Sequence, residues 1–286
     1  MTISAISHRE QNQLLAAMPF EDWRYIESHL EWVEMPAFST LFEAGTSLRH
    51  VYFPTTAVVS LVSTMLDGAT VEVAAVGSEG MVGVDAFMGS SNANNGTTAS
   101  GTVMAQNTAM VSRGGHGYRM SSQAIAHQAK RSEQVMHHLL NYTRTLFLHM
   151  SQTSACNRHH SLDQQLARWL LVHLDRQNDN DLHITQERIA SMLGVRREGV
   201  TGGALRLQKA GVIRYGRGQM SVVDRTGLQS FSCECHGVIR DAYTRLSSDA
   251  VLQVKPAAHS HAGGSQHQAT MGRSTPDIWS TAQVTT

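Results

Sequence analysis

The stretch 184–213 constrains the fold more than any other, because two short helical periods are separated there by a single glycine. Thr185 is an N-cap type of residue, Ile189 and Leu193 recur on one face, and small Ala190 allows a second helix to come close. Gly194 stands at the turn, where a left-handed backbone is needed and glycine adopts it without steric cost. Val195 plugs the turn. A second helix is expected from about Arg196, with Val200 and Leu207 inward and Arg196, Arg197, Glu198, Thr201 and Arg206 on its outer side. Beyond Val212, two strands are expected around Gly216-Arg217-Gly218, with Arg214 and Arg217 on the resulting hairpin.

This is the layout of a winged helix-turn-helix, whose second helix brings its N-terminal residues to base edges in the major groove. Arg pairs bidentately with guanine and Glu accepts from cytosine, so Arg196, Arg197, Glu198 and Thr201 are the candidate base readers. Thr185, Gln186, Arg206, Arg214 and Arg217 are the candidate phosphate contacts, which position without reading sequence. The plainer reading is a two-helix packing unit with solvated arginines. Small residue, turn glycine, inward valine and basic hairpin all occur in register, and that favours DNA. Gly202-Gly203 runs against the pattern: each glycine costs about 0.5–1 kcal/mol relative to Ala, and Gly203 takes a place where the motif normally buries an apolar side chain. The second helix is therefore expected to be marginally stable and to stiffen on DNA.

Net charge is zero with His neutral, so only the distribution of charge informs. From His50 to Ser112 there is no Lys or Arg, against four acids: Asp67, Glu72, Glu79 and Asp85. From Asp181 to Gln219 there are seven basic residues and three acids, as expected of a polyanion-binding module behind a sensing or assembly module. Three cysteines, Cys156, Cys233 and Cys235, make no disulfide framework and fit a reducing cytoplasm. The N-terminus lacks a signal-peptide apolar core, and no apolar run reaches the ~18 residues of a membrane helix, so a soluble cytoplasmic protein without a membrane partner is expected.

Upstream, 8–18 and 20–29 read as short helices, and 34–111 as short strands separated by turns. Val51-Tyr52-Phe53 ends at Pro54; 57–65 and 70–76 flank Asp67-Gly68, a hairpin turn signal. Residues 90–101 should form an exposed loop, and 102–111 a strand. The pattern predicts an antiparallel, jelly-roll-like β-roll over 10–117. A long helix is expected over 118–156. Its stripe of Val135, Leu139, Tyr142, Leu146 and Met150 is assigned to dimerisation, with Met136, Leu140 and Phe147 flanking it; packing on the chain's own roll is the other reading. A helix over 161–176, capped by Ser161 and burying Leu162, Leu166, Trp169, Leu170 and Leu174, opens a C-terminal module over 157–246. The segment 249–286 reads as a disordered tail, and its His259, His261 and His267 as incidental. The fold class is thus α+β: roll, long dimerisation helix, winged helix-turn-helix.

In this order the parts resemble the Crp/Fnr family of transcription regulators over roughly 10–246, most strongly in 184–223. The stretches Arg49-His-Val-Tyr-Phe-Pro-Thr-Thr-Ala-Val-Val-Ser60 and 67–83 are similar to a subgroup of that family. The resemblance implies a homodimer on a palindromic operator, with double-stranded DNA and RNA polymerase as partners and Arg197 and Glu198 as the principal base readers. It also implies a cyclic-nucleotide-type pocket near Glu79, Gly80 and Met81. Gly80-Met81 stands where cyclic-AMP-binding members carry Gly-Glu, and their phosphate-binding Arg would fall in 97–101, which has none. An unpaired buried phosphate is costly, so no tight cyclic-nucleotide binding is expected.

No cysteine precedes Cys156, which excludes the N-terminal iron–sulfur group of oxygen-sensing members. No motif singles out a haem ligand among sixteen His and fourteen Met. Cys233-Glu-Cys235-His236 resembles a zinc site only loosely, its cysteine spacing being too narrow, so no metal and no cofactor is expected. No phosphate-binding loop, nucleophile elbow or zinc-protease helix occurs, and an enzyme is not expected. The remaining alternative is a sensor or scaffold that kept the fold and lost specific DNA binding, with Gly202-Gly203 as its support.

Overall fold

Asn12 ties the first helix to the roll: its side chain caps helix α1 (Gln13–Ala16) through Leu15 N at 3.0 Å and donates to Pro54 O and Gly80 O, both at 2.8 Å. The structure is a computed structural model, and it describes residues 9–89, 103–177, 179–216 and 218–254. Helix α2 (Phe20–His29) comes next, and then seven strands: β1 (Glu31–Met35), β2 (Thr40–Phe42), β3 (His50–Pro54), β4 (Val58–Thr64), β5 (Thr70–Val76), β6 (Thr108–Arg113) and β7 (Gly115–Ser121), with the short helix α3 (Asp85–Met88) between β5 and β6. They form two antiparallel sheets, ordered β1-β7-β3 and β2-β6-β4-β5. The β4–β5 hairpin closes as its sequence requires: Gly68 has φ +84°, and the Asp67 carboxylate accepts from Ala69 N at 2.9 Å. Residues 90–101, expected as a loop, lie outside the described residues.

Two expectations change here. Residues 118–121 do not begin the long helix but belong to β7, the central strand of the first sheet, with Tyr118 and Met120 both buried. Gly117 lets β7 run hard against β3, since a Cβ there would meet Phe53 O at 2.6 Å. A two-residue alternation beside a long helical pattern is too short to be read from sequence. The helix is also interrupted. Helix α4 (Ser122–Arg131) ends at Ser132, whose hydroxyl accepts from Val135 N to cap α5 (Glu133–His159) and donates to Asp22 at 2.7 Å.

Helix α5 puts Val135, Leu139, Tyr142 and Leu146 into the core of its own roll, with Met150 at the margin. The five residues assigned to a dimer seam therefore face inward. Periodicity locates an apolar stripe, but it does not say what covers it. Leu140 (48% exposed) and Phe147 (67% exposed) remain outside.

Helix α6 (Leu162–Leu174) starts on a Ser161–Gln164 capping box and joins two cores. Val172 belongs to the roll core; Leu166, Trp169, Leu170 and Leu174 belong to the second. That second core holds β8 (Asp181–Leu182), α7 (Gln186–Leu193), α8 (Arg197–Lys209), β9 (Ile213–Gly216), β10 (Gln219–Val222) and α9 (Arg225–Phe231), its strands ordered β8-β10-β9. Helix α10 (Glu234–Val254) returns along α5, contributing Ile239 and Tyr243 to the first core. It runs six residues past the expected start of the tail at 249; residues 255–286 lie outside the described residues.

Candidate nucleic-acid interface

The turn at the heart of the C-terminal module forms as its residues dictate. Thr185 Oγ1 accepts from Arg188 N at 3.3 Å and caps α7, while Gly194 ends it with φ +65° and ψ +34°. Ile189, Ala190 and Leu193 on α7 and Val200, Ala204 and Leu207 on α8 are buried against each other and against α6. This packing fixes what points outward. Arg196 is the N-cap residue of α8, and Arg196, Arg197 and Glu198 are all exposed at the end where the helix dipole is positive. Arg197 approaches Glu187 at 3.5 Å in an exposed pair that leaves its guanidinium accessible.

Thr201 and Gln186 meet across the turn, Thr201 Oγ1 donating to Gln186 Oε1 at 2.7 Å. The structure so brings together a candidate base reader and a candidate phosphate contact at the N-terminal ends of both helices. Arg214 is exposed on β9; Arg217 lies outside the described residues. Arg206 is held elsewhere: Nε and Nη2 each contact the Asp163 carboxylate at 2.6 Å, which raises the pKa of the guanidinium and directs it along α6. Its expected phosphate contact would compete with this bidentate pair.

The same corner explains one of the two glycines. A Cβ on Gly203 would lie 3.0 Å from Asp163 Oδ1 and 3.2 Å from Leu166 Cδ2, and one on Gly199 would lie 2.6 Å from Leu162 Cδ2. Gly199 and Gly203, one helical turn apart, form the shallow face into which α6 packs. Gly202 meets only the guanidinium of Arg206, at 3.3 Å.

The roll and the module meet through polar contacts as well as apolar ones. Arg176 Nε contacts Glu79 Oε1 and Ala75 O, both at 2.8 Å. Burial alone would lower the pKa of Arg176, but Glu79, with Tyr243 and Asp175, offsets that and raises it. His173 Nε2 lies 3.1 Å from Glu72 Oε2, which also accepts from Ser60 at 2.5 Å. Thr70 and Ser191 hydroxyls meet at 2.6 Å, where the β4–β5 hairpin reaches α7.

Around the expected effector pocket, Met81 is fully buried and Glu79 is engaged by Arg176. The ring of Tyr142 fills the space beside Gly80: a Cβ there would come within 2.2 Å of it, and Tyr142 Oη donates to Met81 O at 2.8 Å. Sequence reading missed Arg176, a buried cation supplied to this region from the end of α6, because it counted only cations within the roll.

Cys156, His160, Cys233 and Cys235 come together, with donor atoms within 4.8 Å of one another. His236, next in sequence to the Cys-x-Cys pair, instead contacts Asp175 at 2.8 Å. Burial raises the pKa of both Cys156 and Cys235.

Residues 164–231 match the model of the Crp-like helix-turn-helix domain. This part of the chain is a Crp-like DNA-binding domain. The Crp-like domain begins inside α6 and ends with α9, so it takes in both helices of the turn and the whole wing. No curated protein sequence matches the chain. Among solved structures, a Crp/Fnr-family regulator from Eubacterium rectale is 16% identical, with a TM-score of 0.60, covering 78% of this chain and 98% of that one. FixK2 from Bradyrhizobium japonicum is 16% identical with a TM-score of 0.57 (71% and 98%), and a CRP-family regulator from Thermus thermophilus is 18% identical with a TM-score of 0.54 (70% and 96%). The α+β fold around the Crp-like domain is thus shared with these structures, two of which are transcriptional regulators of the Crp/Fnr or CRP family. Among the described residues no helix is long and apolar enough to cross a membrane.

Proposed function

We propose that the chain is a transcription regulator that binds a two-fold symmetric operator as a homodimer. Arg196, Arg197, Glu198 and Thr201 read bases; Thr185, Gln186, Arg214 and Arg217 contact phosphates, and Arg206 joins them once freed from Asp163. The observation that carries this reading is the group of exposed side chains at the N-terminal end of α8, raised on a packed two-helix support. Leu140 and Phe147, seven residues apart on α5, supply the apolar seam for a second copy. RNA polymerase is the further partner such a regulator would act on.

The effector, if one is used, is not a cyclic nucleotide bound beside Gly80. Tyr142 occupies that space, and Arg176, the buried cation nearest Glu79, is already engaged by it. The alternative of a scaffold that lost DNA binding rested on Gly202-Gly203, and the fit of Gly203 against α6 removes half of that support. Selection from random duplexes by the ligand-free protein at two salt concentrations tests the proposal. It requires a palindromic site that Arg197→Ala no longer prefers, with affinity falling steeply as salt rises. Equal, sequence-independent binding by both proteins would refute it.

A further inference from the structure

The three cysteines of the chain and His160 converge where the C-terminal end of α5 meets the N-terminal end of α10. Cys156 lies on the last turn of α5 and His160 four residues on, at its C-cap; Cys233 precedes α10 and Cys235 lies in its first turn. Cys156 Sγ is 3.5 Å from Cys233 Sγ, and Cys235 Sγ is 3.5 Å from His160 Nδ1. All three cysteines are buried.

We propose that these four residues hold one zinc ion in a tetrahedral Cys3His site. Zinc–sulfur bonds of about 2.3 Å and zinc–nitrogen bonds of about 2.0–2.1 Å put tetrahedral ligands roughly 3.5–3.8 Å apart, which is the scale of the contacts here. A multi-iron cluster would hold its thiolates apart by the width of its own metal–sulfide core. Thiolate-rich sites with a single imidazole select zinc over magnesium or calcium, which take oxygen ligands.

The surroundings fit a bound cation independently of the donor set. His160 turns Nδ1 toward Cys235 and places Nε2 3.3 Å from Glu234 Oε1, the carboxylate–histidine arrangement that fixes the tautomer of a metal-binding imidazole. Gln152 Nε2 donates to Cys235 Sγ at 3.0 Å, as amide groups do to metal-bound thiolates. Cys235 lies in the first turn of α10, where the positive end of the helix dipole favours the thiolate form that a metal ligand needs. The ion would fasten the long helix of the roll to the last helix of the chain, joining segments 77 residues apart.

Metal analysis of the full-length chain, purified under reductant and dialysed, is expected to give one zinc per chain. Cobalt substitution is expected to give the visible absorption of a tetrahedral site together with thiolate-to-cobalt charge transfer, a band that histidines elsewhere in the chain cannot produce. Cys233→Ser and His160→Ala should each lose zinc, and Glu234→Gln should weaken its retention by roughly 10–100-fold. His159→Ala, altering the exposed neighbour of His160, should leave it unchanged. If Cys233→Ser does not fold, the His160, Glu234 and His159 variants still decide, because all three residues lie at the partly exposed edge of the site. Three freely titrating thiols in metal-free protein incubated with zinc would overturn the proposal. So would a Cys156–Cys233 disulfide in the reduced preparation, or zinc retained without charge transfer in the cobalt form.

Discussion

Replacing Gly202 and Gly203 one at a time by alanine should give opposite results, although the two positions are adjacent in one helix. Alanine gains about 0.8–1.0 kcal/mol over glycine in a helix interior, partly by restricting the unfolded chain. At Gly202 the new methyl would meet only Arg206 Nη1 at 3.3 Å, the far end of a flexible side chain. Most of the gain should survive, so Gly202→Ala should stabilise by about 0.5–1 kcal/mol, or roughly 2–4 °C per kcal/mol in a chain of this size. At Gly203 the methyl would lie 3.0 Å from Asp163 Oδ1 and 3.2 Å from Leu166 Cδ2. Leu166 is fully buried, and Asp163 is pinned by both contacts to Arg206. Overpacking of this kind costs about 1–3 kcal/mol, so Gly203→Ala should be neutral to destabilising by about 2 kcal/mol. Urea denaturation of the full chain measures both. Equal stabilisation by the two substitutions would show that α6 does not press on α8 at Gly203, and the packing account of that glycine would fall. Hydrogen exchange of α8 tests the accompanying claim of a marginal helix: amides as slow as those of α7 in the free protein would rule it out.

Other outcomes are equally open to measurement. Glu79→Gln leaves Arg176 buried without its carboxylate and should cost about 3–5 kcal/mol in thermal or chemical unfolding; a loss under about 1 kcal/mol would mean that water reaches the guanidinium. Phe147→Asp should shift the protein from dimer to monomer in sedimentation analysis while leaving the fold intact, and an unchanged dimer would exclude this face of α5 from the seam. His149 is buried edge-on against Tyr243, and burial, with Arg176, Arg168 and His173 nearby, holds its pKa well below the usual value. The native imidazole stays neutral while the unfolded one takes a proton, so its contribution is present above about pH 6.5 and is lost as pH falls, by at most about 1.4 kcal/mol per unit. Against His149→Phe, the wild-type stability curve should therefore fall more steeply between about pH 6.5 and 5; parallel curves would contradict the assignment.

What the sequence made legible is local. Gly194, Thr185, Ser161 and Asp67-Gly68 each act within four residues of themselves, and each does in the fold what its chemistry predicts. Strands β3, β4 and β5 and the wing were likewise readable from alternation and turns. The misreadings share a different property, since all depend on which surface meets which. The apolar stripe of α5 was visible, but its cover was not. Gly117 and Gly203 look like weak points until the neighbouring backbone of β3 and the side chains of α6 are in place. The four donors around Cys156 are split between two segments, and the histidine nearest the Cys-x-Cys pair in sequence serves Asp175 instead.

Helix α6 has a consequence for anyone who would treat the chain as interchangeable modules. A cut near residue 157 looks natural, because it falls just before the Crp-like domain. Yet α6 carries Val172 into one core and Trp169 into the other, and with the residues just after it delivers His173 and Arg176 to carboxylates of the roll. A transplant of the DNA-binding part onto a foreign roll would strand an arginine and a histidine against whatever surface it met, and the donor roll would keep two orphaned glutamates. Glu72, Glu79, His173 and Arg176 thus form a lock and key within one molecule, and a working chimera would have to move all four together.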